Sequence, residues 1–543
     1  MSGRWQRIQT SLTGGALLIA AASLVSKVLG FVRDRLLAAQ FGAGDTLDAY
    51  YAAFKLPDLI FNVLVLGALS AAFIPVFIER WQKCQTEEEK QQAWHIANSV
   101  LNILLIILAV LSVLLILFAP WLVPFLAPGF PEEKMRLTVQ LTQIMLGSIL
   151  FFGVSNVFSG LLNAFRRFAA YAMAPIFYNV GIIVGITAFY SWWGIPGLAW
   201  GVVLGAALHM LVQIPAVFHT GYRYSTALDM RDPAVKKIMR LILPRTLGLA
   251  VNQLNNVVIT IIGSTLAAGS VAIFNFANNL QSFPIGLVGV SLAVAAFPYF
   301  SEAFSQQDKE KFVTHFSITL RRIVFFIVPA AVLILLLRAH IVRVVLGAGE
   351  FDWEATYLTA QTLGYFAVSL VAQSLLPMLA RSFYADQDTS TPVKIAVVSL
   401  LVNVALSIWL APQHGILGLA AAFSVANVVN MLLLLAVLRV RHGNLDDERI
   451  IRSTINILLA SAVMALVTWI SLRAFLPGIN NRTFIGIFLQ GAIAGSIGIL
   501  VYLGIAITFR FDEVHLVTTR LQRIWQQLRA VLRNGGKWKQ GAE

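Results

Sequence analysis

Apolar runs long enough to cross a bilayer recur along the whole chain, separated by short breaks where charge, Gly and Pro collect. Val100 to Phe118, for example, reads VLNILLIILAVLSVLLILF. A helix needs about 20 apolar residues to span hydrocarbon, and the runs lack the period-two alternation of a membrane barrel. The backbone polar groups must then be satisfied within helices. Cutting at the breaks predicts spans near 12–38, 47–77, 93–118, 137–165, 172–192, 196–219, 237–266, 271–300, 317–346, 357–383, 391–411, 416–439, 453–475 and 484–509, fourteen in all.

Loop charge gives these spans an orientation. Lys and Arg concentrate on the even connections, with Arg80/Lys83/Lys90, Arg166/Arg167, Arg223/Arg231/Lys236/Lys237, Lys309/Lys311/Arg321/Arg322, Arg381/Lys394 and Arg439/Arg441/Arg449/Arg452. The odd connections, FGAGDT, APGFPEE, SWWGIPG, LAAGS, GAGEFD, APQHG and LPGINNR, are short and nearly free of Lys and Arg. Positive charge stays in the cytoplasm, so the expectation is an all-α polytopic membrane protein of about 14 transmembrane helices with both termini cytoplasmic. The N-terminal MSGRWQRIQTSLTGG reads as a cytoplasmic lead into the first helix, because no small-residue cleavage site follows it.

The sequence also repeats internally. GIPGLAWGVVLGAALHMLVQIP from Gly194 aligns without a gap on GILGLAAAFSVANVVNMLLLLA from Gly415, and AAFIPVFIE from Ala71 matches AAFPYFSEA from Ala295. The offset spans six helices, an even number, so the halves share one orientation and are expected to be related by a pseudo-two-fold along the membrane normal. This predicts a six-helix lobe over 1–220, a second over 221–445, two C-terminal helices within 446–510 and a basic amphipathic tail over 511–543. In the tail, Leu516, Leu521, Ile524, Leu528 and Val531 fall near one helical face amid arginines, as in a helix lying on a membrane surface.

Composition agrees with a membrane chain. Of 543 residues 58% are hydrophobic and 12% charged, and the mean hydropathy is +0.77; soluble chains carry about 25% charged residues. The net charge of +14 would suggest nucleic acid in a soluble protein; here it sits in loops and tails facing an anionic leaflet, and no nucleic-acid partner is expected. Cys84 is the only cysteine, which excludes an intrachain disulfide framework.

The informative residues are the polar ones inside the spans, since a charge at the bilayer centre costs roughly 2.5–3.5 kcal/mol on insertion scales. Asp48, Lys55 and Asn62 recur every seven residues on one stripe of the second span, and Lys27 and Asp34 share that spacing on the first. In the seventh, Arg245, Asn252 and Asn256 fall on one face; the eighth carries Asn275, Asn279 and Ser282. Such stripes suit a wet cavity between lobes. Two readings stay open: Arg33 and Asp34 could form a structural ion pair, and the asparagines could be interhelical glue. Arg381 reads as an anchor near the cytoplasmic end of its span.

No HExxH, GxSxG, P-loop or CxxC pattern occurs, and the eight histidines show no ligand spacing. The chain is therefore expected to be no enzyme and to need no cofactor; the sequence assigns no metal.

The block SKVLGFVRDRLLAAQFGAGDTLDAYYAAFKLPDL, the later GALSAAFIPVF, the FP-x-G-x-x-G-V-S segment at Phe283 to Ser291 and RSFYADQDTSTPVKIA at Arg381 to Ala396 together resemble the MurJ (MviN) lipid II flippases of the MOP exporter superfamily, over residues of about 14 to 510. The resemblance implies an inner-membrane protein that moves the undecaprenyl-pyrophosphate-linked peptidoglycan precursor from the cytoplasmic to the periplasmic leaflet by alternating access. It places the family's charged cavity residues on Arg33, Asp34, Asp48 and Lys55.

The chain departs from the family pattern in two places. Phe61-Asn62 stands where members carry an Arg pair, and Asn278-Asn279 with Ser282 where they carry Asp-Arg and a Glu. Arg245 is expected to supply charge from the seventh span instead, with Asn252, Asn275 and Asn279 as polar partners. An anionic cargo is favoured because Arg33, Lys55 and Arg245 outnumber Asp34 and Asp48. The alternatives are another polyprenyl-linked glycan or a drug-like cation as cargo, or a non-transporting scaffold that gathers cell-wall synthesis proteins through its tail.

Overall fold

The apolar runs form helices throughout. The computed structural model describes residues 12–66, 73–475 and 483–514, with side chains described except in 12–17, 66, 241–252 and 475. In chain order the helices are α1 Leu12–Phe41, α2 Asp45–Ala53, α3 Lys55–Ile60, α4 Ile74–Gln82, α5 Glu87–Leu126, α6 Glu132–Leu146, α7 Ser148–Ala164, α8 Phe168–Val184, α9 Tyr190–Trp193, α10 Pro196–Leu211, α11 Ile214–Phe218, α12 Pro233–Ser264, α13 Ser270–Pro284, α14 Ser291–Ser305, α15 Lys309–Val345, α16 Trp353–Ala385, α17 Ser390–His442, α18 Asp447–Ile470 and α19 Phe484–Thr508. No strand occurs among the described residues. The tail expected over 511–543 lies, from His515 onward, outside them.

Ten described helical stretches are long and apolar enough to cross a membrane. One of them, α17, holds two predicted spans, because the helix breaks at Gly415 (φ 58°, ψ −137°) inside the APQHG connection. The other three predicted spans are the polar ones: α1, the second span built from α2 to α4, and α12. The second span is broken by design, since α3 opens into a π-helical turn, Phe61–Leu66. A π turn widens the helix and is found mostly where function needs local backbone freedom.

The chain divides into two compact units. The first comprises Met1–Leu280, Val345–Tyr365 and Thr389–Ala426, the second Gln281–Val344, Phe366–Asp388 and Asn427–Glu543. Within the first, α8 packs on both α1 and α10. The α8–α10 contact is a glycine seam: a Cβ on Gly181 would strike the Gly205 backbone, and a Cβ on Gly185 would lie 2.5 Å from Gly201 Cα. Small residues at four-residue spacing on both helices let the backbones approach where no hydrophobic drive exists between helices in lipid.

Within the second unit, Arg321 on α15 is 8% exposed and is held by Glu513 at 2.8 Å and Asp512 at 3.2 Å. Ser453 at the start of α18 donates to the same Glu513 at 2.9 Å. The segment after α19 is thus tied to α15 and α18 by neutralising one buried guanidinium.

Replacing Gly201 by Leu is expected to force α8 from α10 and lower stability by about 1–3 kcal/mol or more, as overpacking does. Gly504→Ala, with open space around its Cβ position, is the neutral control. Thermal unfolding of the detergent-solubilised chain reads both.

Candidate functional site

Six charged groups of the first two spans, Arg33, Asp34, Asp45, Asp48, Lys55 and Asp58, fall into three settings, all within the first unit. Asp48 is 1% exposed. It sits one turn into α2, and its carboxylate accepts from Lys134 Nζ at 2.8 Å, from the Gly269 N–H at 2.7 Å and from the Ala272 N–H at 2.9 Å. Those two N–H groups belong to the start of α13, where backbone donors have no intrahelical partner and the helix dipole favours an anion. Lys134, on α6, also reaches Asp45 at 2.7 Å and lies 4.0 Å over the Phe130 ring.

Around this ion pair, four odd connections meet backbone to backbone. The Glu350 N–H donates to Ala39 O at 2.9 Å, and the Gly129 N–H donates to Ser264 Oγ at 3.2 Å. Gly269 (φ +87°) and Gly349 (φ +54°) are required: a Cβ on either would run into the carbonyl of Ala43 or Ala39. The chemistry is that of a latch. Asp48 holds α2, α6 and α13 together and is buried at their junction, not among the residues lining the cavities described below.

Arg33 and Asp34 form the second setting. The guanidinium binds Asp34 Oδ1 through Nε at 3.0 Å and Nη2 at 2.7 Å, and donates to Asn179 Oδ1 at 3.2 Å. The other Asp34 oxygen accepts from Asn279 at 3.0 Å, and Asn179 donates to Ser26 O at 3.2 Å. This chain joins α1 to α8 and α13. The ion pair itself joins neighbouring residues within α1, and the contacts to other helices are made by Asn179 and Asn279.

Lys55 makes the third setting. It lines a cavity of about 170 Å³ with Asp58, Asn256, Thr260, Asn275 and Asn278, so α3, α12 and α13 present their polar stripes to one space, as helical phase predicts. Among the described residues, neither Lys55 nor Asp58 has a side-chain hydrogen bond or ion pair. Asn62, one turn beyond, instead caps the Asp58 carbonyl at 2.8 Å. Arg245 and Asn252 lie in the stretch of α12 outside the described side chains.

Asp58 also faces a second cavity of about 230 Å³, lined by Phe54, Ser148, Phe152, Tyr178 and His209. Behind it, Ser155 Oγ lies 2.6 Å from His209 Nδ1 and accepts from Gln213 at 2.6 Å. No group of three or more His, Cys, Asp or Glu among the described residues could hold a metal ion.

Sequence reasoning missed Lys134, Asn179 and Asp58. Lys134 follows an odd connection taken as free of cations, and Asn179 is a lone amide in an apolar span. Asp58 had a usable signal, because three residues after Lys55 is the same helical face.

Removing one partner of a buried pair strands the other, at about 3–5 kcal/mol. Lys134→Met and Arg33→Met are each expected to show that loss in thermal unfolding. Arg136→Ala, which breaks the exposed pair with Glu132, is expected to show none.

A family model described as lipid II flippase MurJ matches residues 37–488. The lipid II flippase MurJ of Burkholderia cenocepacia is 30% identical over 485 residues, covering 88% of this chain and 93% of that protein. Among solved structures, a lipid II flippase MurJ in an inward closed conformation is similar with a TM-score of 0.76 and 26% identity, covering 91% of this chain and 99% of that one. An inward-facing multidrug resistance MATE family transporter of the MOP superfamily, at 18% identity and TM-score 0.67 over 78% of this chain and 96% of its own, shares the fold. The chain belongs to the lipid II flippase MurJ family.

Proposed function

We propose that this chain flips lipid II, the undecaprenyl-pyrophosphate-linked peptidoglycan precursor, from the cytoplasmic to the periplasmic leaflet of the cytoplasmic membrane by alternating access, making and breaking no bonds. One observation carries the reading beyond family membership: the unpaired Lys55 ammonium in a cavity walled by asparagines. An ammonium in low dielectric with no hydrogen-bonded partner, and only the Asp58 carboxylate one turn away, is a site for a further anion, and a pyrophosphate supplies one with charge-assisted hydrogen bonds.

The cavity of about 170 Å³ is too small for a disaccharide-peptide headgroup, so it must enlarge on loading. The odd connections, periplasmic by loop charge, are sealed at Asp48. Exit requires Asp48 to leave Lys134 and the start of α13, so the latch sets the barrier to outward opening. The polyprenyl tail stays in lipid throughout. Such rocking is proposed to run between the two six-helix repeats that the sequence divides at about residue 220.

In cells depleted of their own flippase, this chain is expected to restore lipid II exposure on the outer leaflet. Lys55→Ala is expected to lower it about tenfold or more, since hydrogen bonds to charged groups contribute about 1.5–3 kcal/mol, with Lys55→Arg recovering part. Truncation after Val514 keeps Asp512 and Glu513 on Arg321 and is expected to leave transport intact, whereas a scaffold working through its tail would fail.

A further inference from the structure

Asp58 is used by neither the latch nor the Arg33–Asp34 pair. Its carboxylate borders two cavities at once and, among the described residues, finds no donor. Its charged neighbours are few. Lys55 lies one turn before it on α3; Tyr50 on α2, Tyr178 on α8 and His209 on α10 are the titratable groups around it, and Arg33 on α1 is committed to Asp34 and Asn179. Among the described residues, α7 and α12 turn only uncharged groups to the two cavities, Ser148, Asn256 and Thr260 being the polar ones.

A buried carboxylate without donors keeps its charge through the ammonium one turn away. An anion that seats on Lys55 takes that compensation and adds a negative charge of its own. The relief available is a proton. A metal cation is disfavoured, because the site offers one carboxylate, lies beside a fixed ammonium and falls short of the six to eight oxygens a hard cation such as calcium takes.

We infer that Asp58 is a proton-binding site linked to the headgroup site: one proton from cytoplasmic water enters the Asp58 carboxyl as the lipid-linked pyrophosphate settles on Lys55, and leaves when the headgroup departs. The inference rests on the lipid II reading of the same cavity. Linkage is reciprocal, so the proton tightens headgroup binding as much as the headgroup tightens proton binding. The pyrophosphate diester is doubly charged and the proton returns one charge. The loaded carrier still moves net negative charge outward, the direction an inside-negative potential favours.

The test uses the full chain in nanodiscs and lipid II, whose pyrophosphate diester does not titrate near neutrality. Affinity is measured between about pH 5.5 and 8.5, where an isolated carboxylate would show no effect. The wild type is expected to weaken as pH rises, by up to about tenfold per unit. Asp58→Asn, a neutral isostere, is expected to bind tightly with no slope, and His209→Gln to keep the wild-type slope. Titrating lipid II into weakly buffered wild-type protein with a pH indicator should show about one proton taken up per headgroup bound, a readout that needs no variant. A flat wild-type profile without proton uptake, or an Asp58→Asn slope equal to the wild type's, would overturn the inference alone. No lipid II binding at any pH would overturn the flippase reading beneath it.

Discussion

An ionised side chain inside hydrocarbon must be neutralised by a partner or face a wet space, and the first two spans are organised around that constraint. Asp48 is neutralised by Lys134 and the backbone donors that open α13. Asp34 is neutralised by Arg33 and accepts a hydrogen bond from Asn279. Far along the chain, Arg321 is neutralised by Asp512 and Glu513. Lys55 and Asp58 are left facing the cavity, and that residue pair is where a charged cargo has something to gain.

The two closed pairs give the fold its joints. A buried ion pair contributes little net stability over an apolar pair of the same shape, but it has a second use: it fixes which helices meet while remaining separable in water. Asp48 joins α2, α6 and α13 through contacts made at their ends, beside a seam of glycines that lets the connecting backbones touch. When water reaches that seam, the same carboxylate can be solvated. The seam between α8 and α10 is made of glycine backbones in direct contact, with no charged group to be solvated.

Much of the architecture was legible in the sequence because hydrocarbon thickness and loop charge act locally. The break at Gly415 was visible as APQHG, and the polar second span as a run interrupted by charge. The shared face of Lys55, Asn256 and Asn275 followed from spacing within each helix. Which carboxylate would pair with which cation was not legible: Lys134 meets Asp45 and Asp48 across two intervening spans, and Asn279 turns to Asp34 although its stripe also carries Asn275, which lines the cavity. Those choices depend on helix rotation and depth, which no single-helix periodicity encodes.

The account depends most on the seam at Ala39, Glu350 and Asp48 being a door and not a permanent wall. Ala39 and Glu350 are joined by a backbone hydrogen bond of 2.9 Å, and Cys84 is the only native cysteine, so a Cys84→Ser, Ala39→Cys, Glu350→Cys chain can be locked there by oxidation or a short cross-linker. Lipid II exposure in cells carrying it as their sole flippase should stop on locking and return on reduction. Undiminished exposure from the fully cross-linked protein would contradict the account.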